Sequence, residues 1–327
     1  MDRFNVYKDM KARTNGEIYI GVVGPVRTGK STFIKRFMNL MVLPNIEDEN
    51  DRNRANDELP QSSSGKTIMT TEPKFVPNEA VSIKTEEGIE LNVRLIDCVG
   101  YMVEGATGHM EGEEERLVKT PWFDYEIPFT KAAAIGTKKV ITEHSTIGMV
   151  VTCDGSFGEI AAKQYEPAEE ETIKQLKALK KPFVVLLNTI HPYSESTKQL
   201  AAEKEEKYQT KVLPMNLEQM KKEDIYEILK SVLMEFPISS IGFYVPRWTE
   251  MLKKDHPLKM ELLQMARDVI TEKTTMKDIY EEQEKEYEYI TGQKLESVAM
   301  DSGEVIITVK VGEVYYYEFL SETKGME

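Results

Sequence analysis

Cysteine is nearly absent: Cys98 and Cys153 are the only two in 327 residues. Two cysteines cannot build a disulfide framework and neither stands in a metal-ligand spacing, which fits a reducing cytoplasm. The four histidines, His109, His144, His191 and His256, are isolated and add no metal signature. No apolar run approaches the roughly 18–20 residues that cross a bilayer. The opening MDRFNVYKDMKART carries basic residues but no apolar stretch or small-residue cleavage site, so neither export nor insertion is expected. Positive charge is also in deficit, with 42 Lys and Arg against 56 Asp and Glu, a formal charge of −14 and a pI near 5.0. That argues against nucleic acid as the main partner, because phosphate backbones need a basic surface. Direct electrostatic docking to an anionic membrane is disfavoured for the same reason. Internal repeats and low-complexity tracts are lacking as well.

What is present is an ordinary folding composition, 40% hydrophobic and 30% charged. The length suits one large domain followed by a smaller one. Ile18 to Val23 is a short continuous apolar run ended by Gly24, which reads as a buried strand. Phe33, Phe37, Leu40 and Met41 then recur at helical spacing. Residues 44–78 lack periodicity and read as a long loop, a kind usually functional or mobile. Val81 to Lys84 and Leu91 to Ile96 alternate, with Glu86-Glu87-Gly88 between them. So short a connection makes them an antiparallel hairpin, since a parallel return needs a crossover of about a dozen residues or more. Ile147 to Val151, Phe183 to Leu187 and Lys211 to Met215 supply three more strands, with polar amphipathic helices near 167–180, 194–208 and 217–235. Strand–helix alternation of this kind gives a doubly wound sheet.

The insert from Gly100 to Thr146 reads as a loop with a helix near 131–143. Beyond Phe236-Pro237, Leu258, Leu262, Met265 and Val269 form a helical stripe that the pattern carries toward Ile290. Glu304 to Lys310 and Glu313 to Phe319 alternate around Val311-Gly312, which suggests a hairpin. The domain boundaries expected are 1–237 and 238–327.

Gly24-Pro25-Val26-Arg27-Thr28-Gly29-Lys30-Ser31 satisfies G-x-x-x-x-G-K-S/T after a predicted strand and before a predicted helix, the context that gives the pattern meaning. Its glycines let backbone N–H groups curl around phosphates, and the helix N-terminus adds its dipole. Lys30 is placed to reach the β- and γ-phosphates, Ser31 to ligand Mg²⁺, and Thr32 belongs to the same first turn. Asp97-Cys98-Val99-Gly100 closes an apolar strand. Asp97 there suits a carboxylate holding the metal, and the Gly100 N–H can sense a γ-phosphate. Thr67, Thr70 and Thr71 lie late in the long loop, where GTPase-like proteins keep a threonine for the metal; Thr70 and Thr71 fit best. The fold class expected is therefore α/β, a GTPase-like P-loop fold whose mixed sheet has one antiparallel strand, plus a small α+β C-terminal segment.

Base recognition departs from a GTPase. A guanine reader has N-K-x-D after the strand Phe183 to Leu187, whereas here Asn188-Thr189-Ile190-His191 keeps only the asparagine. Asn188 stays a candidate base contact, but His191 stands where a carboxylate would accept from guanine. Met215-Asn216 occupies the place of the Ser-Ala support. ATP is the better substrate. Tyr101 stands where many GTPases keep a water-orienting glutamine, so hydrolysis is expected to be slow. Arg27 either lends charge to the phosphates or faces solvent. Asp154-Gly155 either borders the site or forms a simple turn.

The segments GVVGPVRTGKSTFIKRFMNL, DELPQSSSGKTIMTTEPKFVPN, LIDCVGY and EHSTIG together resemble the stage IV sporulation protein A family of endospore-forming Firmicutes. That resemblance implies a cytoskeleton-like ATPase whose ATP and Mg²⁺ cycle drives assembly into a homopolymer. The polymer forms the basement layer of the spore coat, on the forespore surface in the mother-cell cytoplasm. Partners implied are stage V sporulation protein M, a small amphipathic membrane-binding protein, and a coat morphogenetic protein. The family roles carry to Lys30, Ser31, Asp97, Thr70 and Thr71. Family members continue through a fuller middle domain and a C-terminal domain. The competing reading is a GTPase-like switch that presents an effector surface and does not polymerise.

Overall fold

The computed structural model describes residues 5–60, 72–85, 88–111, 114–158, 160–281 and 285–324. Two compact units divide the chain, Asn5–Glu235 and, beyond it, Phe236–Glu327.

In the first unit, α1 (Val6–Arg13) starts at Asn5, whose side chain caps the Lys8 N–H. β1 (Glu17–Val23) runs into the glycine-rich turn, and α2 (Lys30–Phe37) leaves it and widens into a π turn over Met38–Val42. α3 (Glu49–Asp57) is capped by Asp48, which accepts from Asn50 and Asp51 N–H. β2 (Lys74–Lys84) and β3 (Glu90–Asp97) pair antiparallel, Lys74 opposite Asp97 and Lys84 opposite Glu90. Two short hairpins follow, β4 (Met110–Glu111) with β5 (Glu114–Glu115) and β6 (Leu117–Thr120) with β7 (Phe123–Pro128). Then come α4 (Phe129–Lys139), β8 (Ile147–Cys153), α5 (Ala162–Ala178), β9 (Phe183–Asn188), α6 (Glu195–Tyr208), β10 (Val212–Met215) and α7 (Lys222–Met234).

The six strands lie in the order β10-β9-β8-β1-β3-β2, parallel except for β2. Every residue of β8 and β9 is buried. That is why both read as unbroken apolar runs: helices cover each face of a parallel sheet. Val150, Val185 and Leu187 meet Leu176 of α5 and Tyr208 of α6 in one cluster. Side chains alternate along a strand, so Val184 and Leu186 point to the opposite face, where α7 packs on β9. The parallel register gathers the carboxyl ends of β1, β3, β8, β9 and β10 along one edge: Val22 beside Asp97, Cys153 and Met215 beside Asn188. In such sheets ligands bind at that edge.

The second unit holds β11 (Ser240–Tyr244), α8 (Pro257–Glu272), β12 (Ile290–Ala299), β13 (Glu304–Val311) and α9 (Glu313–Lys324). Its sheet runs β11-β13-β12, with β11 parallel and β12 antiparallel to β13. Leu258, Leu262, Met265 and Val269 of α8 are all buried, as their spacing requires.

Four expectations need correction. The α8 pattern stops at Glu272 and does not run to Ile290, because the Asp278 carboxylate accepts from the Thr274 and Thr275 N–H groups and starts a separate 3₁₀ turn. The hairpin pairs β12 with β13, not Glu304–Lys310 with Glu313–Phe319; the latter segment is α9. Its aromatics sit at helical spacing, so Tyr316 and Phe319 both reach Trp248, with ring centroids 5.6 Å apart in each case. The loop over 44–78 contains α3, which buries only Ala55 and so leaves no apolar period. The insert carries two hairpins where a plain loop was expected, and its helix begins at Phe129. Thr67, Thr70 and Thr71 lie outside the described residues.

Candidate nucleotide site

β1 delivers the chain to Gly24, whose φ of 124° belongs to glycine, and an added Cβ would come within 2.5 Å of the Val151 carbonyl. Pro25 and Val26 are buried, Arg27 is exposed at φ 61°, and Thr28 is buried with its hydroxyl donating to Pro25 O at 3.0 Å. Gly29, again left-handed, opens α2, with Lys30, Ser31 and Thr32 in the first turn. Lys30 is 5% exposed, and its ammonium donates to the Pro25 carbonyl and, at 3.5 Å, to that of Gly24. Burial pushes its pKa below the usual lysine range, against the pull of Cys98 and Asp97 nearby.

Asp97 sits at the end of β3. Its Oδ2 accepts from the Ser31 hydroxyl at 2.7 Å, while Oδ1 is buried with no hydrogen-bond partner among the described residues. Burial raises the Asp97 pKa, and the bond from Ser31 and the charge of Lys30 work against that rise. An orphaned carboxylate oxygen is costly unless something cationic or donating arrives. The Ser31–Asp97 pair therefore fits a hard divalent cation, whose remaining oxygens would come from phosphate and water. Among the described residues no cluster of three or more His, Cys, Asp or Glu could hold a metal alone.

The D-x-x-G segment is bonded to the phosphate loop. Tyr101 N–H donates to Gly24 O at 3.2 Å, and Val26 N–H donates to Tyr101 O at 2.9 Å. Gly100 has φ 92°, and a Cβ there would collide with the Gly24 carbonyl and stand 2.6 Å from the Lys30 ammonium. Only glycine fits so close to the lysine. The Tyr101 side chain turns away: it packs on the cluster of Val26, Val103, Cys153 and Tyr165, and burial lifts its hydroxyl to about 12. It takes no glutamine-like place beside the phosphates.

Arg27 stands at the surface of the loop. It is exposed, and its guanidinium donates to the Thr107 hydroxyl at 3.0 Å and carbonyl at 3.3 Å, joining the loop to the segment beyond Gly100. Sequence reasoning missed Thr107, since no spacing or motif marks a partner 80 residues away. Asn188 braces the loop from the far side, with Nδ2 donating to Thr28 O at 3.0 Å and Oδ1 accepting from Leu217 N–H at 3.2 Å. Asp154 is more than a turn residue: Oδ2 accepts from the Thr189 hydroxyl at 2.6 Å and Oδ1 from Ser156 N–H at 2.9 Å. It clips the ends of β8 and β9 together. The structure thus brings together the loop, Asp97, Gly100 and Asn188.

Residues 1–237 match the family model for the stage IV sporulation protein A ATPase domain, and 238–327 match that for its middle domain. An ATPase domain implies nucleotide use. Curated relatives named stage IV sporulation protein A are similar along essentially the whole chain. The Clostridioides difficile (strain 630) protein is 48% identical over 325 residues, 99% of this chain and 66% of that protein. The Bacillus anthracis protein is 45% identical and the Bacillus subtilis (strain 168) protein 44%, each over 329 residues, all of this chain and 67% of the relative. The chain spans about two thirds of the length of these relatives. No helix among the described residues is long and apolar enough to cross a membrane.

Proposed function

This chain belongs to the stage IV sporulation protein A family, and we propose that it hydrolyses ATP slowly and uses the cycle to assemble with copies of itself. The assembly forms the basement layer of the spore coat on the outer forespore surface, within the mother cell. A small amphipathic membrane protein, stage V sporulation protein M, anchors it, and a coat morphogenetic protein joins it; contact with the membrane is indirect.

The observation that carries the ATPase reading is the convergence of Lys30, the Ser31–Asp97 pair and Gly100 at one strand edge. Ser31 and Asp97, with help from Thr70 or Thr71, would hold Mg²⁺, which would supply charge neutralisation on the phosphates. Lys30 would exchange its carbonyl partners for phosphate oxygens, which are stronger acceptors because they are charged. Gly100 N–H would test for a terminal phosphate. Asn188 and Asp154 hold the loop and the strand ends rigid, so positioning is fixed before the nucleotide arrives. Tyr101 packs into the Val26–Tyr165 cluster and does not stand as a water-orienting glutamine would, which fits slow turnover.

Self-assembly and switching separate by sedimentation. The chain with ATP and Mg²⁺ should pellet above a threshold concentration, whereas with ADP or a chelator added before ATP it should stay in the supernatant. A chain that turns over ATP yet remains monomeric at every concentration would favour the regulatory-switch reading.

A further inference from the structure

Adenine and guanine differ at purine position 6, where guanine has a carbonyl that needs a donor and adenine an amino group that needs an acceptor. Asn188 links the ends of β9 and β10 to the phosphate loop, so a base held beside that loop would meet those ends. Six backbone donors there are already used. After β10, Leu217 N–H goes to Asn188 Oδ1 at 3.2 Å, Glu218 N–H to Asn216 Oδ1 at 3.0 Å, and Gln219 N–H to Asn216 O at 3.1 Å. After β9, Thr189 N–H goes to Met215 O at 3.0 Å, Ile190 N–H to Ser156 Oγ at 3.1 Å, and His191 N–H to Thr189 Oγ1 at 3.1 Å. The Asp154 carboxylate adds acceptor capacity at the same edge.

We propose that these two turns discriminate against 6-oxo purines by tying up these six backbone donors, and that Asn216 is a specificity-determining residue because it withdraws the Glu218 N–H. A guanine carbonyl buried here would lose its water and gain no partner, the asymmetry that makes unmade hydrogen bonds costly. The inference rests on the ATP reading above and adds which purine atom is read.

Calorimetric titration of the full chain with ATP, GTP and inosine triphosphate tests it, since inosine carries the 6-carbonyl without guanine's 2-amino group. In the unmodified chain inosine triphosphate should bind as weakly as GTP, both below ATP. Asn216→Ala should raise GTP and inosine triphosphate affinity relative to ATP by about threefold to tenfold, the worth of one net hydrogen bond. Asn216→Asp, which keeps a side-chain acceptor, should return the ratio toward the original. Inosine triphosphate binding as tightly as ATP, or an unchanged ratio in Asn216→Ala, would overturn the proposal while leaving the ATP site standing. If none of the three bound the unmodified chain, the ATP reading would fall and this one with it. Should Asn216→Ala not fold, the inosine comparison in the unmodified chain decides alone.

Discussion

Lys30→Ala should lose most of its affinity for ATP and keep its fold. The ammonium is buried beside the carbonyls of Pro25 and Gly24 and beside Asp97, so it lies within the cradle and not in the apolar core. Charge-assisted hydrogen bonds are worth about 1.5–3 kcal/mol each, or roughly tenfold to hundredfold in binding. The fold tolerates the loss because neither carbonyl is orphaned: Pro25 O still accepts from Thr28 Oγ1 and Gly24 O from Tyr101 N–H. Removing a desolvated cation also relieves a burial cost. Titration calorimetry beside a thermal melt separates the two effects. Unaltered ATP affinity in a folded variant would remove the lysine from the site.

The second large effect concerns stability. Glu169 of α5 is fully buried and pairs with Lys204 of α6 at 2.6 Å, the lysine side chain being 10% exposed. The other Glu169 oxygen accepts from Thr152 of β8 at 2.5 Å, so one carboxylate ties two helices to a central strand. Lys204→Met leaves that carboxylate charged and unpaired in the interior, and breaking a buried pair in this way costs about 3–5 kcal/mol. For a unit of this size each kcal/mol moves the melting temperature by roughly 2–4 °C, so a fall of about 6–20 °C is expected. The double change Glu169→Gln with Lys204→Met should recover part of it, because no unpaired charge remains. A single-variant melt within a degree or two of the original would mean water reaches the pair.

The phosphate site was legible in the sequence because its parts are neighbours along the chain. A strand, a glycine turn and a helix start follow one another from Ile18 to Phe33, and Asp97 announces itself by ending an apolar run. The antiparallel β2 was legible for the same reason, since a short connection admits only one return. What the sequence hid depends on distant contacts or on patterns that suit two structures. Nothing near Tyr101 says that its ring turns into the Val26–Tyr165 cluster, and nothing near Arg27 points to Thr107. The sequence puts Asn216 in the place of the base support, but its bonds to the 217–219 turn beside Asn188 show only in the structure. The 313–319 segment alternates well enough for a strand. Only Trp248, reached by both Tyr316 and Phe319, decides for a helix. α3 escaped notice because a helix that buries one alanine has no apolar period to read.

The central claim is that Lys30, Ser31 and Asp97 form a working ATPase centre, and phosphate release from ATP tests it most directly. The unmodified chain with Mg²⁺ should release phosphate slowly but steadily. Asp97→Asn, which keeps an acceptor for Ser31 but lacks the charge, should still bind nucleotide and release phosphate at least about a hundredfold more slowly, the scale of one lost electrostatic contact. Release from the unmodified chain no faster than from Lys30→Ala, or equal turnover in Asp97→Asn, would contradict the account.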